Sequence, residues 1–306
     1  MTSASVEPAA PPAESALADE PKAPLQPLFH LDALWIQVAG TLCNLSCTHC
    51  FVSSGPGDDH HALMPRAEVR RHVEDGLALG AKEFYFTGGE PFVHPEMLGI
   101  IADTLADGPV TVLTNGTLFT PRRIEALRRL REGAHYSLEI RVSLDGASAA
   151  EHDRFRGAGS FARAMDGIVR LSAAGFLPIV TVTQVAGEDP LHLRTRVHEL
   201  LRGSGIERPR IKLLPMFLLG REAGRTRSYQ PAETLAGLAP EAFDPHRLQC
   251  SSCRAVTSRG VFVCPLLVDE PAGRMGERLA DALGPFALGH GACTTCYATG
   301  MTCGNG

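Results

Sequence analysis

Residues 83–114 read EFYFTGGEPFVHPEMLGIIADTLADGPVTVLT: a short apolar run, a glycine turn, a stretch with Met97, Ile101 and Leu105 on one helical face, and a second apolar run. Strand, amphipathic helix and strand in that order make a βαβ unit, which joins parallel strands. The pattern continues outward on both sides. Upstream, ALWIQVAG (33–40) precedes a helix with Val69, Val73 and Leu77 on one face. Downstream, Thr120 caps a helix that opens with Pro121, stops at Gly133 and leads to LEIRVSLDG (138–146). A helix from around Ser160, carrying Phe161, Met165, Ile168 and Leu171, passes Gly175 to reach PIVTVTQV (178–185). A last helix, starting near Asp189 and Pro190 with Leu193, Val197 and Leu201 inward, reaches PRIKLLP (209–215). Six strands alternating with helices predict an α/β fold, a partial (β/α)6 TIM-like barrel.

Beyond Arg221 the chain turns polar and rich in Gly and Pro, so the reading divides it into three. Residues 1–30 form an Ala/Pro-rich leader expected to be disordered, 31–220 the core, and 221–306 a small cysteine-rich C-terminal domain. The whole is 306 residues, 44% hydrophobic and 21% charged, an ordinary globular composition. A net charge of −5 argues against a broad nucleic-acid surface. No apolar run approaches the roughly 18 residues of a membrane span. The N-terminus has neither the basic nor the apolar region of a signal peptide, so a cytoplasmic location is expected. Nine cysteines in a reducing compartment are then ligands or reactive thiols rather than disulfides.

Their placement is more informative than their number. CNLSCTHCF puts Cys43, Cys47 and Cys50 on the loop after the first strand, at the end of an α/β sheet where ligands bind. Three thiolates can hold three irons of a [4Fe-4S] cluster and leave the fourth open, whereas structural zinc takes four ligands and would need His49 or His60. GGEP follows the next strand, one βαβ unit away and therefore beside the cysteine loop: Gly88 and Gly89 allow close backbone approach, and Glu90 supplies an anionic acceptor.

CNLSCTHC, TGGEP, TNGTL (114–118), VSLDG (142–146) and HDRFRGAGSF (152–161), in that order, resemble the radical S-adenosylmethionine (SAM) superfamily over residues 33–216. The resemblance implies that Cys43, Cys47 and Cys50 ligate a [4Fe-4S] cluster whose unique iron is chelated by SAM. It further implies that Gly88, Gly89 and Glu90 hold the SAM ammonium, that Ser143 and Asp145 lie near its ribose and carboxylate, and that His49 and Phe51 pack near the adenine. Asn115 is a further candidate, with turn capping as its alternative. The chemistry implied is reductive cleavage of SAM to a 5′-deoxyadenosyl radical that abstracts hydrogen, with electrons from a flavodoxin or ferredoxin.

Alternation along LEIRVSLDG puts Glu139, Arg141 and Ser143 on one face, inside the barrel if Ser143 faces SAM. Arg141 is then either an anchor for an anionic group of SAM or substrate, or the partner of Glu139. Lys212 in RIKLL is a second candidate to face inward, with a solvated strand-end lysine as the favoured reading. The C-terminal part, CSSCRAVTSRGVFVCPLL and CTTCYATGMTCGNG, resembles the SPASM and shorter twitch extensions that bind auxiliary [4Fe-4S] clusters. Cys253, Cys264, Cys293 and Cys296 are the favoured ligands, with Cys250 and Cys303 as alternatives. Two clusters helped by His246 or His290, or a structural zinc, stay open.

The reaction expected is modification or cross-linking of a ribosomally made peptide. Oxidation of a sugar, amino-sugar or alcohol is the alternative, and a non-catalytic iron-sulfur electron carrier is the reading from another class. TGGEP, VSLDG and RGAGSF look most like the peptide-modifying branch, although the leader is short for a peptide-recognition domain.

Overall fold

The computed structural model describes residues 22–300 and 303–305. Most of the expected leader, residues 1–21, lies outside that range. The rest of it is not free chain: β1 (Leu25–Gln26) pairs antiparallel with β11 (Phe286–Ala287), and the Phe29 N–H donates to the Ser251 carbonyl at 2.8 Å.

The core follows the alternation in the sequence. β2 (Ala33–Gln37), α1 (Arg66–Ala78), β3 (Glu83–Thr87), α2 (Met97–Leu105), β4 (Val110–Thr114), α3 (Pro121–Gly133) and β5 (Leu138–Ser143) come first. Two helices, α4 (Ala149–Arg156) and α5 (Ser160–Ala173), lead to β6 (Ile179–Gln184), then α6 (Pro190–Gly203), β7 (Arg210–Pro215) and the short α7 (Gly220–Arg225). β2 to β7 lie side by side in chain order and all parallel, which is the partial (β/α)6 barrel. Thr120 caps α3 through the Arg123 N–H, and Asp189 caps α6 through the Leu191 N–H.

Strand pleating sorts the side chains. Leu34, Ile36, Phe84, Phe86, Val112, Ile140, Val142 and Val180 face outward into one continuous core with Val73, Ile101, Leu127, Ile168, Leu171 and Leu201 of the covering helices. Each such side chain contributes roughly 1.5–3 kcal/mol by leaving water. The alternate residues face the barrel interior, among them Trp35 stacked on Tyr85 at 4.2 Å.

The C-terminal region continues the same sheet. β8 (Cys253–Thr257) pairs parallel with β2 and turns back as β9 (Gly260–Phe262), followed by β10 (Arg274–Gly276). The sheet order is therefore β10-β9-β8-β2-β3-β4-β5-β6-β7. α8 (Gly291–Thr299) carries Cys293 and Cys296 one turn apart, on one face.

Candidate active site

Cys43, Cys47 and Cys50 sit on the loop after β2, at the C-terminal end of the strands. That loop is held by its neighbour after β3. The Gly89 N–H donates to the Gly40 carbonyl at 2.8 Å and the Glu90 N–H to the Leu42 carbonyl at 3.0 Å. Gly88 has φ +142°, and a Cβ on Gly89 would stand 2.3 Å from the Leu42 oxygen, so neither position has room for a larger residue. The glycine pair thus seats one ligand loop on the other, and both glycines also line the cavity between them.

Glu90 does not line the cavity. It is fully buried, with Oε1 accepting from the Phe92 N–H (3.0 Å) and the Thr114 hydroxyl (2.7 Å), and Oε2 from the Asn115 N–H (2.7 Å). Burial raises its pKa, and these three donors offset part of the rise. Its carboxylate ties the β3 loop to the β4 loop and so places Asn115, whose Nδ2 donates to Asn44 Oδ1 at 2.8 Å and reaches toward Cys43 Sγ at 3.9 Å.

Asp145 is likewise a buried brace rather than a wall of this cavity. Its Oδ2 accepts from His49 Nε2 at 2.8 Å and Arg156 Nε at 2.5 Å, and its Oδ1 from the Thr183 N–H at 3.3 Å. Burial opposes its charge, but Arg156 and His49 outweigh that and hold the carboxyl well below the usual range. His49 stacks on Phe155 at 4.9 Å, so its imidazole is fixed from two sides. Arg156, which the sequence reading quoted within HDRFRGAGSF but assigned no role, lines the cavity with Cys47, Cys50, Asn115 and Ser143. Burial works against its charge, but Asp145 and the two cysteines hold the guanidinium above its ordinary pKa.

A third element closes over the cysteine loop. Arg221, which the sequence reading treated only as a boundary, donates from its backbone N–H to the Cys50 carbonyl at 2.9 Å. Its guanidinium donates to the carbonyls of Cys47 (3.3 Å), Ser54 (2.8 Å) and Ser53 (2.8 Å). Gly220, at φ +51°, permits this contact, since a Cβ there would meet the Cys50 and Phe51 oxygens at 2.6 Å.

The cavity, about 200 Å³, is walled by the three cysteines, His49, Phe51, Gly88, Gly89, Asn115, Arg141, Ser143 and Arg156, with Trp35 and Thr181 deeper in. Arg141 is buried but is not paired with Glu139, which bonds Arg210 Nη1 at 2.5 Å. Arg141 instead donates through Nη1 to the Cys303 carbonyl and through Nε to Thr181 Oγ1 at 3.4 Å. Lys212 is not a free solvated lysine: burial and Arg141 bring it down to about 8, with Cys303 opposing.

All six C-terminal cysteines line a second cavity. Cys250 lies in the helical turn Gln249–Ser251 just before β8, Cys253 begins β8, Cys264 follows β9, Cys293 and Cys296 lie on α8, and Cys303 comes from the chain beyond it. Arg254, wholly buried and missed in the sequence reading, donates to the carbonyls of Cys250 (3.0 Å), Cys253 (2.7 Å), Ala282 (2.6 Å) and Gly284 (2.9 Å). His246 stacks on Phe29, and His290 caps α8 through the Ala292 N–H.

The donor chemistry fits iron-sulfur centres at both places. Burial pushes the Cys43, Cys293 and Cys303 thiols up to about 12, so thiolates there need the positive charge of a metal centre. The Leu45 and Ser54 N–H groups point at the sulfurs of Cys43 (3.4 Å) and Cys50 (3.3 Å), the kind of bond that tunes a cluster. Zinc fits less well. A single zinc with thiolates at ~2.3 Å draws them to about 3.8 Å apart. Among the described residues, the only three metal-ligating side chains with donor atoms all within 4.8 Å of one another are His60, His61 and Asp269. The two histidines that a zinc knuckle would borrow are engaged elsewhere, His49 by Asp145 and His60 by Asp269 (3.2 Å).

Comparison with known proteins agrees with this geometry. An AdoMet-dependent heme synthase of Methanosarcina barkeri is 35% identical over 176 residues, 56% of this chain and 47% of the relative. A mycofactocin maturase, MftC, of Mycobacterium ulcerans is 36% identical over 139 residues, 44% of this chain and 35% of the relative. The chain thus spans less than half the length of either. In fold it is similar to Streptococcus suis SuiB bound to S-adenosylmethionine, with TM-score 0.59 at 14% identity, covering 79% of this chain and 62% of SuiB. The family model for the radical SAM superfamily matches residues 38–192, half of the chain, and the chain belongs to that superfamily of SAM-dependent enzymes.

Proposed function

We propose that the protein is a radical SAM oxidoreductase that abstracts hydrogen from a ribosomally made peptide and modifies or cross-links it, with residues 221–306 holding an auxiliary [4Fe-4S] cluster. The observation that carries this reading is the shared wall. The cavity of Cys43, Cys47 and Cys50 and the cavity of the six C-terminal cysteines meet at Cys303, which lines both. When bound, the first cluster supplies the electron that cleaves SAM to methionine and a 5′-deoxyadenosyl radical. Gly88 and Gly89 offer backbone groups to the SAM ammonium, and Arg156 is the cation placed for its carboxylate. Ser143 and Asn115 offer hydroxyl and amide groups along the wall, and His49 and Phe51 offer ring faces to the adenine. Trp35, Val52 and Leu113 supply apolar wall beside Arg141 and Thr181, and that wall helps exclude water from a reactive carbon centre.

The similarity to a mycofactocin maturase favours the peptide. A small-molecule substrate is the second reading, favoured by the heme synthase relative. The protein acts in the cytoplasm on this reading, with a flavodoxin or ferredoxin as reductant. Among the described residues no helix is long and apolar enough to cross a membrane.

The test is anaerobic reconstitution with iron and sulfide, then iron counting, EPR and 5′-deoxyadenosine assay of the wild type beside a Cys43→Ala/Cys47→Ala/Cys50→Ala variant. Iron retained by the variant, with 5′-deoxyadenosine formed only by the wild type, supports a radical enzyme with an auxiliary cluster. No 5′-deoxyadenosine from the wild type would leave the electron-carrier reading. Acceleration by a precursor peptide, and not by sugars or alcohols, separates the two substrate classes.

A further inference from the structure

Residues 303–305, beyond α8, lie against the barrel strands. Arg141 on β5 donates to the Cys303 carbonyl. The Gly304 N–H donates to Gln249 Oε1 at 2.7 Å, the Asn305 N–H to the Tyr85 hydroxyl at 3.2 Å, and Asn305 Nδ2 to Thr111 Oγ1 at 2.7 Å. Tyr85, Thr111 and Arg141 stand on three successive strands, so the segment is docked against the inner wall rather than lying on the surface. Arg141 has 2% of its surface exposed and, among the described residues, no carboxylate partner. A buried guanidinium is costly unless an anion or several acceptors meet it. Here it meets a carbonyl and, beside it, the one C-terminal thiol that also lines the SAM cavity.

We propose that Cys303 is a ligand of the auxiliary cluster, on the side facing SAM, and that Arg141 is the positioning residue that holds it there. The proposal rests on the auxiliary-cluster reading above. Two effects follow from one contact. The hydrogen bond fixes the backbone of Cys303 and so the place of its sulfur. The fixed positive charge next to a ligand favours the more negative, reduced state of the cluster and raises its potential. Arg141 then serves the protein's own iron centre rather than an anionic group of the substrate.

The test introduces Arg141→Met and Arg141→Lys into the full chain and into the Cys43→Ala/Cys47→Ala/Cys50→Ala variant, whose only iron is auxiliary. In iron-free full-length protein, alkylation of Cys303 by iodoacetamide, followed by mass spectrometry, reads the docking without any cluster. Removing the cation by itself lowers the thiolate fraction, so the rate is extrapolated to full thiolate from its pH dependence; that intrinsic rate rises about tenfold in Arg141→Met because loss of a charged hydrogen bond undocks Cys303. In the reconstituted triple variant, Arg141→Met lowers the iron retained and the EPR midpoint potential, and Arg141→Lys, which keeps the charge, recovers part of the potential. Iron that is held but indifferent to Arg141→Met, with unchanged alkylation, overturns the proposal and leaves the auxiliary cluster standing. A triple variant without iron while Arg141 is in place overturns both.

Discussion

The two cysteine regions are fastened by the same device and assembled in opposite ways. In each, an arginine donates to the carbonyls of the cysteines themselves: Arg221 to Cys47 and its neighbours, Arg254 to Cys250 and Cys253. Yet Cys43, Cys47 and Cys50 come from one loop of eight residues, whereas the six C-terminal thiols arrive from a strand end, a hairpin, a helix and a docked tail. The first set is local in sequence and needs neighbouring loops only to hold its shape. The second exists only after β8 has paired with β2 and residues 303–305 have docked against the barrel strands. Assembly from distant pieces makes a site more dependent on each fastening.

Arg254 gives the largest expected effect. It has no exposed surface, and Arg254→Met takes the donor from the buried carbonyls of Cys253 and Ala282, at roughly 1–3 kcal/mol each, and from the part-buried carbonyls of Cys250 and Gly284, where water replaces some of what is lost. On the proposed reading auxiliary iron should be lost and the thermal midpoint should fall steeply, while any folded fraction keeps the EPR signal of the cluster at Cys43, Cys47 and Cys50. Equal loss of both clusters would break the comparison.

Acid should act on the SAM side next. His152 is fully buried, and its Nδ1 accepts the Asp145 N–H at 3.0 Å, so it is neutral; burial, with help from Arg156, holds its pKa down at about 4 from 6.5. The unfolded chain takes up the proton first. This contribution is therefore complete above pH 6.5 and is lost as the pH falls toward 4, by up to about 3 kcal/mol. Urea unfolding at pH 7 and pH 5 in the wild type and His152→Gln measures it. The variant should show the flatter dependence.

Glu90→Gln comes third. The amide turns one donor group toward N–H and O–H donors, at roughly 1–3 kcal/mol. Slower 5′-deoxyadenosine formation with unchanged auxiliary iron would show that Glu90 acts by bracing the loops. Arg221→Met should be the mildest. Its side chain is 32% exposed, so water replaces part of what is lost. Partial loss of SAM-cluster iron is expected, without change in the auxiliary signal, and an effect as large as that of Arg254→Met would show that local origin does not protect a site.

The barrel was legible because its evidence is periodic. The apolar runs around Phe84, Val112, Ile140 and Val180 are buried outward under helices whose own apolar residues recur at helical spacing. α4 escaped notice because it is only eight residues long and buries little besides His152 and Phe155. The leader boundary was set late, since nothing in Leu25–Gln26 announces a two-residue strand whose partner is some 260 residues away. Glu90 and Asp145 were noticed as acids near SAM, but their partners could not be read. Thr114 and Asn115 reach Glu90 only because β4 lies beside β3, and Arg156 reaches Asp145 only because α4 folds back over the end of β5. Arg156, Arg221 and Arg254 were missed as fastenings because arginine in a loop or strand looks the same whether it meets water or a row of carbonyls. The one available signal was position: Arg156 lies inside HDRFRGAGSF, Arg254 directly follows Cys253, and Arg221 stands where the core gives way to the polar stretch.

The sequence by itself determined the alternation of strands and helices, the spacing of the first three cysteines and the glycine pair that must approach them, because periodicity, spacing and the lack of a Cβ are local properties. Only the tertiary structure decided that β8 joins the core sheet, that six scattered thiols line one cavity, and that Arg141 holds the Cys303 carbonyl rather than Glu139. Those depend on which strands pair and which buried charges find acceptors, and such contacts between distant residues leave no mark on the spacing along the chain.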